Sequence, residues 1–187
     1  MSPAPRNRLV PAALLPWIGS AAVSIALTIG LFWWATGGSA GAFWAYLTSE
    51  TPRLKVPDLT PLMEASPAIQ LHVAGAVIAL LVGAVQLLRP KGRTVHIVLG
   101  WTWVVAMTVV AISSIFITEI NPGQFSPIHA FTAWTLIALP MGLVAILVRR
   151  NPKAHGRAMT GLFLGGLIIA GAFTFLPGRV MWDVFLG

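Results

Sequence analysis

The chain contains no cysteine, which excludes disulfides, thiolate metal sites and thiol catalysis and leaves its redox compartment unread. Charge is also scarce. Only 9% of the 187 residues are Asp, Glu, Lys or Arg, against roughly a quarter in soluble domains. A soluble fold built from this chain would expose more apolar surface than its polar residues could cover. None of the five acids lies inside a long apolar run, so a proton-coupled transporter of the usual kind would lack its titrating group. No Ser-His-Asp arrangement, H-E-x-x-H pair or phosphate loop is present. The remaining candidates for soft-metal or haem ligation are four histidines and six methionines.

What the chain has in abundance is apolar length. Hydrophobic residues make up 57% of it. A hydrocarbon core about 30 Å thick is crossed by about 20 apolar residues in a helix. Five stretches qualify: 14–36, 67–88, 95–118, 127–148 and 158–176. The first follows Arg6 and Arg8 as a signal peptide would. It is longer than an ordinary signal core, and SAGA at 39–42 is only a weak cleavage pattern, so it is read as a helix. Pro140 should kink the fourth stretch or free a carbonyl within it. The expected fold is an all-α integral membrane protein with five transmembrane helices, the last four forming an up-down bundle. Residues 1–66 would hold the first helix and a periplasmic loop, and 67–187 the four-helix bundle. The loop, 37–66, carries Phe43, Trp44 and Tyr46 followed by the turn-rich VPDLTPLMEASP, and reads as a partly ordered cap.

A net charge of +7 could by itself suggest a nucleic-acid partner; the placement of the charges argues against one. With the N-terminus cytoplasmic, Arg6, Arg8, Arg89, Lys91, Arg93, Arg149, Arg150, Lys153 and Arg157 all fall inside with no acid among them. Arg53, Lys55 and Arg179 fall outside with Glu50, Asp58, Glu64, Glu119 and Asp183. Basic residues retained on one side set the orientation and meet anionic lipid. The expectation is a multi-pass protein of a bacterial inner membrane, N-terminus in and C-terminus out, with the lipid bilayer as its partner and no nucleic acid.

The bundle reads as two weakly similar hairpins. IQLHVAG opens a helix, RPKGR turns it and His96 opens the return; SPIHAFT, RRNPKAHGR and His155 repeat the scheme. Both hairpins start outside, so the repeat is parallel and its pseudo-axis runs along the membrane normal. His72 and His129 then lie near the outer face, and His96 and His155 at the inner one. Alternate helices of an up-down bundle are diagonal partners, so each face offers one histidine pair. Facing neutral imidazoles are suitable axial ligands for a low-spin haem iron. Arg93, Lys153 and Arg157 stand at the inner level to pair with propionates. Gly75, Gly100, Gly156 and Gly161, with Ala130 and Ala133, supply small residues near the histidines. A zinc hydrolase would want three ligands at one level, where topology supplies two.

Each feature has a plainer explanation. A histidine at the end of a membrane helix is ordinarily an interfacial residue, and small residues in lipid ordinarily serve helix packing. Gln70 and Gln86 can bridge helices, and Gln86 could reach a quinone carbonyl. Trp17, Trp33, Trp34, Trp101, Trp103 and Trp134 suit interface anchors. Trp101 and Trp103 cannot share a face, so at most one lines a site.

The segments SPAIQLH through LLRPKGRTVHIVLGW, and FSPIHAFTAW through HGRAMTGLFLGGLIIAGAFTFLPGRVM, resemble a bacterial family of predicted integral-membrane proteins of unknown function, the DUF2306 type. That resemblance covers roughly residues 67–181 and implies a bacterial inner-membrane protein without assigning an activity. More loosely, the placement of the histidines looks like that in di-haem transmembrane cytochromes b, which implies His72 with His129, and His96 with His155, as haem ligands. Two functions remain open. One is a b-type haem protein, a possible transmembrane oxidoreductase, passing electrons between a quinol or periplasmic donor and an acceptor. The other is an accessory or assembly subunit of a respiratory or photosynthetic complex. A third and weaker reading is a lipid or quinone carrier.

Overall fold

The computed structural model describes residues 26, 29, 30, 33, 37, 39–118 and 128–187. The expected first span, 14–36, lies outside the described residues except at Ala26, Ile29, Gly30 and Trp33. Two short helices, α1 (Ala40–Leu47) and α2 (Thr60–Glu64), precede the bundle. The bundle consists of α3 (Pro67–Leu88), α4 (Thr94–Ile115), α5 (His129–Leu147) and α6 (Pro152–Phe175), each long and apolar enough to cross a membrane. Helix α7 (Val180–Phe185) closes the chain. No strand occurs among the described residues.

The helix limits follow from local chemistry. Pro67 and Pro152 each sit in a first turn, where a missing N–H removes no helical bond. Asn151 caps α6 by accepting the Ala154 N–H at 3.0 Å. Helix α3 stops at Leu88, just before the Arg89–Pro90 pair, because a residue preceding proline disfavours helical geometry. Gly92, at φ 78°, supplies the left-handed step that turns the chain into α4. Lys91 folds back to donate to the carbonyls of Gln86, Leu87 and Arg89 at 2.6, 3.0 and 2.9 Å. That contact meets orphan carbonyls at the negative end of the helix. The last span begins at Pro152, earlier than the apolar run starting at 158, so His155 lies within its first turn and not in a loop.

Neighbours pack in the order α3–α4–α5–α6, and α6 returns against α3. Helices α3 and α5 are therefore diagonal, as are α4 and α6. The centre is filled by Ala79, Met107 and Leu162, each 0% exposed, with Trp103, Phe163, Leu139 and Leu167 around them. Each span buries only 17–33% of its most apolar stretch inside the bundle. The outward face is aliphatic, including Leu81, Val105 and Ile137, which suits hydrocarbon. Helix α5 runs through Pro140 without a break. Within α6, Leu162–Ile169 is π-helical, a wider winding with i→i+5 bonding.

One end of the bundle carries the basic turns 89–93 and 149–153. The other is capped. Arg53, Lys55 and Asp58 donate their N–H groups to the carbonyls of Leu186, Phe185 and Val184 at 3.0, 3.2 and 3.1 Å. The Tyr46 hydroxyl donates to the Pro177 carbonyl at 2.7 Å. Gln70 ties this cap to α3 by donating to the carbonyls of Met63 and Ala65, which end α2, at 2.8 and 3.0 Å. The Asp58 carboxylate accepts the Thr60 N–H at 2.9 Å; hydrogen bonds from Thr60 hold its pKa below the ordinary aspartate range. The cap expected from residues 37–66 is thus built jointly with the C-terminal segment.

Candidate functional site

All four histidines lie within the first two turns of the spanning helices. On α3, the His72 ring reaches α4, with Nδ1 3.0 Å from the Val110 carbonyl and 3.3 Å from Ser113 Oγ. The Ser113 hydroxyl is committed to Val109 O at 2.7 Å. A carbonyl only accepts, so His72 Nδ1 carries the proton and Nε2 the lone pair. Gly75, one turn on, makes this reach possible. A Cβ there would meet Val110 Cγ2 at 3.1 Å and the Ala106 carbonyl at 3.3 Å.

His155 repeats the arrangement on the second hairpin. Its Nδ1 lies 3.0 Å from the Gly142 carbonyl on α5, so its Nε2 also carries the lone pair. His96 is fixed by a side chain. Gln86 Nε2 donates to the His96 carbonyl at 2.9 Å, and Gln86 Oε1 faces His96 Nδ1 at 2.8 Å. The first bond settles which end of the amide is nitrogen, so the second needs a proton on Nδ1. Gly100 leaves room for that amide, since a Cβ there would meet Gln86 Nε2 at 3.3 Å. Gln86→Leu should remove both bonds at a cost of about 1–2 kcal/mol. It should also release the tautomer, which ¹⁵N NMR of labelled imidazole would report as mixed Nδ1 and Nε2 protonation.

His129 is the first residue of α5, with its Nε2 buried. A polar strip joins its level to that of His72. Ser113 faces α3, while Ser114 meets Thr132 of α5 at 2.6 Å. Consecutive residues on a helix point about 100° apart, which is how two serines serve two neighbours. At the basic end, His96 opens α4 and His155 opens the diagonal helix α6. Arg93 and Arg157 are exposed there. Among the described residues, no group of three or more His, Cys, Asp or Glu side chains could hold a metal ion.

The four histidines, both turns and the spanning helices occupy a region that matches a family of predicted membrane proteins, DUF2306, over residues 69–182. The chain belongs to that family. Comparison with curated proteins and with solved structures gave no match. The DUF2306 description carries membrane placement and no activity, so chemistry has to be read from the site itself.

Sequence reading did not anticipate a layer one to two turns inside the basic histidine pair of this DUF2306 protein. Trp103 lies seven residues after His96, and Phe163 eight after His155. A step of seven residues returns a helix to within about 20° of the same face, and one of eight passes it by about 80°. A Cβ on Gly83 of α3 would lie 2.5 Å from the Phe163 ring and 2.8 Å from Trp103 Nε1. On the diagonal helix, a Cβ on Gly142 would run into Met159 Cε and lie 3.0 Å from Ala158 Cβ. Gly156 has open space beside it, and Gly75 is packed on α4. Trp103 is buried and its indole N–H has no hydrogen-bond partner. Trp101, by contrast, is 49% exposed, so of these two tryptophans it is Trp103 that faces inward.

One feature of the histidines would suit a haem. His72, His96 and His155 each anchor Nδ1 on an acceptor and keep Nε2 as a ligand lone pair, the usual orienting contact for a metal-bound imidazole. Glycines on α3, α4 and α5 supply backbone room next to the basic pair. That room is filled by Phe163, Met159 and the Gln86 amide, and Met107 and Leu162 fill the bundle centre.

Proposed function

We propose that this DUF2306 protein is a b-type haem protein that passes electrons between a quinol or periplasmic donor and an acceptor. His72 with His129, and His96 with His155, would hold the iron, and Arg93 and Arg157 would pair with propionates. A haem with two imidazole ligands supplies one-electron transfer with little rearrangement. The chain's own part is to fix imidazole tautomers, exclude water from the ligand nitrogens and place positive charge at one end. The observation that carries the reading is the shared Nδ1 anchoring of His72, His96 and His155. In this reading the basic turns would lie in the cytoplasm of a bacterium, and the cap and C-terminus outside its inner membrane, which the positive-inside distribution supports. An optical spectrum with metal analysis of detergent-purified protein tests the reading. A Soret band with a reduced-minus-oxidised α band is expected; a colourless, iron-free and folded protein would leave the accessory-subunit role in its place.

A further inference from the structure

We propose that the seam between α3, α4 and α6 at Gly83, Trp103 and Phe163 is a quinone site, with the Trp103 indole N–H as donor to a quinone carbonyl. Trp103 is 4% exposed and its Nε1 has no acceptor. A buried N–H without a partner costs folding free energy and needs an explanation. Gly83 and the Phe163 ring adjoin the indole nitrogen, and the buried cluster to which Trp103 belongs is apolar, so a missing acceptor would arrive on an apolar molecule. A p-benzoquinone head suits this setting: it is flat, lipid-soluble, has no hydrogen-bond donor and carries two carbonyl acceptors.

Shape points the same way. The Phe163 ring now lies over Gly83, where a Cβ would be 2.5 Å from it. A flat ring already occupies the slot, and a quinone ring would take its place when Phe163 swings aside. Phe163 belongs to the π-helical stretch Leu162–Ile169, and such stretches are frequent at functional sites. Apolar walls with one placed polar group are the usual make-up of a ligand pocket. Access needs no aqueous route, since the outer face of α3 around this level, with Leu80, Leu81 and Leu87, is exposed and apolar. The inference rests on the electron-transfer reading and deepens it by giving its quinol–quinone couple a site, while its binding assay stands apart from haem.

The test uses full-length protein in detergent with decylubiquinone as probe. Saturable binding is expected, with one carbonyl stretch of ¹³C-labelled quinone shifted down by the indole N–H in the infrared. Trp103→Phe keeps a ring and should still fold, as read by thermal melting. It should weaken binding about tenfold, as expected for one lost hydrogen bond, and abolish the carbonyl shift. Gly83→Ala, which fills the slot, should remove saturable binding. Uptake that only follows micelle partition, two unshifted carbonyls in wild-type protein, or equal affinity in Trp103→Phe would each overturn the proposal. The wild-type infrared spectrum decides even if a variant misfolds. Absence of a Soret band would sink the haem reading alone and leave the isotherm to be judged separately.

Discussion

Replacing His155 with alanine is expected to remove one bis-imidazole centre and cut the reduced-minus-oxidised α-band amplitude by about half. Alanine at His96 should do the same, and the double replacement should do no more than either alone. Residues serving one centre act as a unit, so their effects do not add. Alanine at His72 or His129 should remove the other half. Exogenous imidazole should restore the band in the single variants, because truncation leaves a ring-sized space beside an intact partner. A merely structural histidine would behave differently: its loss would lower stability through the anchoring bonds to Val110, Gln86 or Gly142 and leave the spectrum intact. Amplitude and melting temperature measured on the same samples separate the two roles.

The bundle was legible in the sequence because lipid imposes a simple rule: a backbone that cannot bond to water must bond to itself over about 20 apolar residues. The turns were legible too, since proline, glycine and clustered cations mark them. The start of the last span was not. Asn151–Pro152 is a strong helix opening, but the polar KAHGR that follows hides it from any search for apolar length. That short polar turn is what places His155 inside a helix. The levels of the histidines followed from topology alone. Their partners did not, because a backbone carbonyl such as Gly142 O carries no sequence signal. Gln86 stood out as a polar residue in an apolar helix, but its grip on His96 depends on the tight turn that brings the two helix ends together. Trp103 could have been found by its spacing of seven from His96. Gly83 and Gly142 could not, since glycines in a membrane helix look alike until the opposing side chain is known.

Gly142→Val should have the largest effect on stability of any single change at the α5–α6 seam, at about 3 kcal/mol. Overpacking costs roughly 1–3 kcal/mol, and separating the helices also strains the bond from His155 to the Gly142 carbonyl, worth about 1 kcal/mol. The obstruction is specific. A Cβ on residue 142 would collide with Met159 Cε and lie 3.0 Å from Ala158 Cβ. Methionine is flexible at its end, so a single methyl should be met by rotation of Met159, and Gly142→Ala should cost less than valine does. Met159→Ala should then recover much of the Gly142→Ala loss, giving a coupling of about 1–2 kcal/mol in a double-mutant cycle. Unfolding in mixed micelles with rising SDS measures all four proteins. Additive losses would show that the two helices do not meet closely at Gly142, and the anchoring of His155 would lose its structural basis. A strong coupling accompanied by an unchanged His155 Nδ1 signal would separate the packing role of Gly142 from its role as acceptor. The side chain of residue 142 would then set the helix spacing, while its carbonyl holds the imidazole.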